Sequence, residues 1–168
     1  MQTILRKLLR HDAWTTSQLL KLCRHLSDEQ LDREFDIGHR TLRATFDHVV
    51  HNMEVWSALM SELTYTRSSD RSVDGLLQRL EVAAKRLASL AETIDQHGAW
   101  DTTWVDHMEN PPQKKSYGTT FAHVVTHGMH HRAQLLFLMR CTGIENLPEG
   151  DVFSWETATQ LGPAKRQC

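Results

Sequence analysis

Between Phe121 and Met139 the chain reads Phe-Ala-His-Val-Val-Thr-His-Gly-Met-His-His-Arg-Ala-Gln-Leu-Leu-Phe-Leu-Met. The stretch has no proline, a single glycine and mostly good helix formers, so it predicts one continuous helix. Positions four apart on a helix lie one turn apart on the same face, their Cβ atoms about 5–6 Å from each other. His123, His127 and His131 therefore stand in one column, which Gln134 and Leu138 continue. Two imidazoles one turn apart can both aim a ring nitrogen at a metal at about 2.0–2.1 Å. That is the physical basis of the H-x-x-x-H metal pattern on a helix. With 11 His in 168 residues, roughly 0.6 such pairs arise by chance, so one pair says little and two overlapping pairs say more. The competing reading is a column of hydrogen-bonded core or surface histidines, because a buried imidazole without a partner is costly.

The length fits one domain spanning 1–168, large enough for a sizeable core. The formal net charge is −2 with His neutral, so nothing marks a nucleic-acid or anionic-membrane surface. No apolar run reaches 18 residues, which predicts no membrane span. Arg6, Lys7, Arg10, His11 and Asp12 interrupt any apolar leader region, so no signal peptide is expected. Cys23, Cys141 and Cys168 are odd in number and show no C-x-x-C spacing. They read as reduced thiols of a cytoplasmic protein.

Apolar residues recur at three- and four-residue steps in four long segments. The first, 3–25, carries Ile4, Leu8, Leu19 and Leu22, with Trp14 expected in the core. Ser27, with Gln30 three residues on, forms a capping-box pattern. The second, 41–63, has the stripe Leu42, Phe46, Val49, Met53, Trp56, Met60 and Leu63. His48 falls at its edge, whereas His51 falls almost opposite and is expected in solvent. Residues 64–72 are a polar linker. Ser72 caps the third segment, 73–97, which Gly98 ends; its charges, Arg79 among them, look like a solvated face. Residues 99–118 suggest two short extended pieces around Pro111-Pro112, a candidate hairpin from which Asp106, His107 or Glu109 can reach a site. The fourth segment, 119–142, carries the histidine column. The tail 144–168, with a helical turn in 152–160, is expected to wrap the bundle.

These segments predict an all-α, antiparallel-type four-helix bundle, with a short irregular or hairpin insertion before the last long helix. Metal sites in bundles are built from facing helices, and two histidines alone hold a metal poorly. His48 is the natural supplier of a third donor. Three neutral imidazoles leave a position for water or substrate, the mark of a catalytic rather than a closed structural site. Nitrogen-only ligation suits zinc, nickel, copper or iron and disfavours magnesium or calcium.

Nearly end to end, the chain resembles the DinB/YfiT-like family of damage-inducible, metal-dependent bacterial proteins. The resemblance lies in His11-Asp-Ala-Trp14, like the family's N-x-x-W, in Leu26-Ser-Asp-Glu-Gln-Leu31, and in Gly38-His-Arg-Thr-Leu42 followed by Thr45-Phe-Asp-His48. Its strongest piece is His123-Val-Val-Thr-His127-Gly-Met-His-His131-Arg-Ala-Gln134, like H-x-x-N-H-x-x-x-H-R-G-Q. Gly143-Ile with Pro148 and Asp151 also fits.

The resemblance implies a bundle in which the second and third helices run parallel. It implies a divalent metal, zinc or nickel, held by His48, His127 and His131, and a homodimer. Relatives include S-transferases that activate a low-molecular-weight thiol and a thiol-dependent isomerase, so a metal-dependent transferase or hydrolase is the implied activity. The alternative is a non-catalytic metal-binding bundle, a sensor or scaffold. Ala133, Thr126 and His39 depart from the family's usual Gly, Asn and Ser. His123 is read as a packing or outer residue, and His130 as pointing away from the column.

Overall fold

The computed structural model describes residues 4–160. Hydroxyl side chains set where the helices begin. Ser27 Oγ accepts from Gln30 N and the Gln30 side chain answers to Ser27 N, which starts the short helix α2, Asp28–Leu31. Thr41 caps α3, Leu42–Met60, and Ser72 caps α4, Val73–Gln96. Each cap is worth about 1 kcal/mol. The first long helix, α1, is Ile4–Leu22, continued by a 3-10 turn at Cys23–His25. After α4 come antiparallel strands β1, Thr103–Asp106, and β2, Gln113–Ser116, with Thr103 opposite Ser116. Ser116 also caps the last long helix, α5, Tyr117–Cys141, so that helix starts two residues before the sequence pattern predicts. The final helix, α6, is Val152–Gln160.

The architecture is an all-α bundle in which α1 and α3 are diagonal, each packed between α4 and α5. Leu19, Leu20, Phe46, Val50, Leu80 and Leu138 fill its centre. α3 ends at Met60, short of the predicted Leu63. Glu62 adopts φ 53° there, the left-handed turn that closes many helices, and Leu63 is 51% exposed. The chain then doubles back along α3. Tyr65 bonds to Glu54, Arg67 to Asp47, and the Arg71 carbonyl to Arg43. This strap, residues 61–72, delivers the chain to the start of α4 beside the start of α3, so the two helices run parallel. Twelve extended residues reach about 40 Å, ample for a 19-residue helix about 28 Å long.

Several expectations are corrected by the fold. Arg79 is not solvated: it is 9% exposed and bonds to Asp47 and, through two nitrogens, to Glu54. His51 is half-buried, its Nδ1 lying 2.7 Å from the Tyr65 hydroxyl. Trp14 is half-buried rather than core, lining a groove of about 470 Å³ between α1 and α4. Asp106 serves the hairpin, accepting from Lys115 and from Met108 N. The tail lies over α1, where His11 Nε2 donates to the Gly150 carbonyl and Lys7 pairs with Glu156. The remainder of the expected tail, 161–168 with Cys168, lies outside the described residues.

Candidate metal centre

The histidine column occupies the flank of α5 that meets α3. Its orientation is fixed from behind by an ion pair between buried Arg132 and buried Asp12 of α1. Gly128 allows this approach, because a Cβ there would sit 2.6 Å from Asp12 Oδ1. With that face of α5 tied to α1, His127 and His131 turn toward α3, which presents His48. His48 Nε2 and His131 Nε2 each lie 3.2 Å from His127 Nε2. Nitrogens bound tetrahedrally at about 2.0–2.1 Å from one ion are separated by roughly 3.3–3.4 Å, so the spacing suits a shared cation.

A residue that periodicity did not select joins them. His39, on the turn before α3, stacks on His48 with ring centroids 3.8 Å apart. His39, His48 and His131 each bring one ring nitrogen within 4.8 Å of the other two. His123 lies farther out, edge-on to Trp56 and 5.0 Å from the His127 ring. His130 is exposed, its Nε2 3.0 Å from the Gln134 amide nitrogen.

The rings of the cluster are held neutral, each with one nitrogen lone pair to offer. Burial, reinforced by the neighbouring imidazoles, lowers His48 to about 3 and His127 to about 4, and burial likewise lowers His131. Neutral imidazole is the form that ligates metal. His131 Nδ1 lies 2.8 Å from Gln134 Oε1; the carbonyl oxygen only accepts, so Nδ1 carries the hydrogen and Nε2 is left bare. A hydrogen-bonded outer partner that fixes the tautomer is usual for metal-binding histidine. His127 Nδ1 is buried without a hydrogen-bond partner among the described residues, and its Nε2 faces two other ring nitrogens. A proton on that Nε2 serves one neighbour, whereas a cation serves all three. The donor set therefore fits a divalent transition metal.

A helical bundle with a histidine cluster at the junction of two helices defines the class. The DinB family model matches residues 1–159, and the chain belongs to the DinB family. Among solved structures it is similar to a DinB-like protein from Bacillus cereus, with a TM-score of 0.64 and 20% identity over 88% of this chain and 97% of that one. No curated protein matches it. Among the described residues, no helix is long and apolar enough to cross a membrane.

Proposed function

We propose that the protein is a metal-dependent S-transferase, or a related enzyme, in which His48, His127 and His131 hold one zinc or nickel ion. The observation that carries this reading is that His48 Nε2 and His131 Nε2 each come within 3.2 Å of His127 Nε2, on rings that burial keeps neutral. Bound there, the ion supplies Lewis acidity, lowering the pKa of a thiol or water. The protein's own part is to hold the rings. Arg132 and Asp12 fix the rotation of α5, and Gln134 holds the His131 tautomer. The hairpin closes one side, with Lys115 over the Trp56 ring at 4.8 Å and Trp104 bonded to Thr120. The substrates are a low-molecular-weight thiol and an electrophile, handled by a single-domain homodimer.

Metal content of untagged protein tests the reading. About one zinc or nickel per chain, lost in both His48→Ala and His127→Ala, is expected. No bound metal and no uptake on addition would overturn it. The non-catalytic reading, a sensor or scaffold, is favoured by one specific observation, the fourth imidazole of His39. Thiol-dependent turnover of electrophiles by the loaded protein separates the two.

A further inference from the structure

His39 sits on a turn built to present it. Gly38 and Arg40 on either side both have positive φ, 50° and 70°, a conformation residues other than glycine rarely adopt. Two backbone hydrogen bonds of 2.8 Å, Phe35 N to the Arg40 carbonyl and Arg40 N to the Ile37 carbonyl, close the turn. An Arg40–Glu34 ion pair at 2.7 Å braces it from outside. The turn also lies hard against α5: a Cβ on Gly38 would fall 2.4 Å from Gln134 Oε1, the oxygen that holds the His131 tautomer. Position 38 favours glycine for its φ, and a Cβ there would also push the Gln134 amide off its place.

The ring so presented points into the cluster. It stacks on His48 and its centroid lies 5.2 Å from that of His131. Among the described residues its ring nitrogens have no hydrogen-bond partner. One of them lies within 4.8 Å of a ring nitrogen of both His48 and His131. His39 is exposed on one side, and the left-handed turn is what brings its ring against His48 rather than out into solvent.

Resting on the metal reading above, we infer that His39 is a further nitrogen donor, one that takes the position the helix-borne imidazoles leave open until a thiol or water displaces it. The turn at 35–40, rather than a helix, decides whether a further ligand reaches the ion. An all-nitrogen donor set suits zinc and disfavours metals that require octahedral oxygen.

Cobalt(II) substitution tests this without any assay of turnover. Full-length protein stripped with a chelator is loaded with cobalt(II), with helicity followed by circular dichroism. Wild type is expected to bind one cobalt per chain and show the intense visible absorption of a four-coordinate ion. His39→Ser is expected to keep the ion but show the weaker absorption of higher coordination with water, and to retain zinc against a chelator about tenfold less well or worse, since loss of even an outer-shell partner costs about that much. His39→Cys is expected to add a thiolate-to-cobalt charge-transfer band absent from wild type, which carries the same native cysteines; it also carries the test should His39→Ser lose helicity. A His39→Ser protein matching wild type in spectrum and retention, with no new band in His39→Cys, overturns the inference and leaves the three-histidine reading standing. No cobalt uptake by wild type removes both.

Discussion

Helix α3 carries two buried polar clusters on consecutive residues, and they are opposites. Asp47 faces α4 and the strap, where its carboxylate accepts from Arg79 at 2.8 Å and Arg67 at 2.6 Å. Burial alone would raise its pKa, but the hydrogen bonds from Arg79 and Arg67 hold it below the usual carboxylate range. Glu54 takes the other two nitrogens of Arg79. Every charge there has a partner. His48, one residue on, faces α5, where the rings are neutral and His127 Nδ1 is buried without a partner among the described residues. The first cluster is complete as the chain folds. The second has the donors to hold a cation. Satisfied polarity marks architecture in this protein, and polarity left over marks the site.

If that contrast is right, damage to the two clusters should read out differently. The largest loss of stability is expected from Arg79→Ala, which leaves Asp47 and Glu54 buried without their shared cation. Removing one partner of a buried pair costs about 3–5 kcal/mol, measurable by urea unfolding, while the site's metal affinity should change far less. Gln134→Leu should do the reverse, leaving the fold nearly intact and weakening metal binding by about 10–100-fold, the usual cost of removing an outer partner; competition with a chelator checks this.

Acid should strike the second cluster hardest, although burial also lowers His51 on the other side and His123 beside the column. His48 and His127 have folded values of about 3 and 4, below the ordinary value of 6.5. Between those limits the unfolded chain binds more protons than the folded one. Metal-free protein should therefore be most stable above about pH 6.5 and lose stability as pH falls toward 4, and His48→Ala should flatten that slope. The smallest effect is expected from Lys85→Ala, which removes an exposed one-turn pair with Glu81; its urea midpoint should match wild type.

Much of this was legible from periodicity. The four long helices follow apolar stripes, and the caps at Ser27 and Ser72 follow from hydroxyls placed just before them. The spacing of His127 and His131 puts them on one face whatever else the chain does. His39 was hidden because it lies on a turn, where side-chain direction depends on φ values that no repeat encodes. Arg79 was misread for a related reason. Its position on α4 looks solvated until the strap, a segment without periodicity, brings Arg67, Tyr65 and the Asp70 carbonyl over it.

The parallel course of α3 and α4 has an electrostatic consequence of its own. Aligned peptide dipoles leave roughly half a positive charge at a helix N-terminus, and here two such ends, at Thr41 and Ser72, stand side by side. Antiparallel neighbours would cancel these fields; parallel ones add them. The chain answers with carboxylates: Asp28 and Asp32 gripping Arg43, Asp70 accepting from Ser72, and Asp74 in the first turn of α4. That end of the bundle is a small capacitor, charged by backbone geometry and by Arg24 and Arg43 and neutralised by acidic side chains.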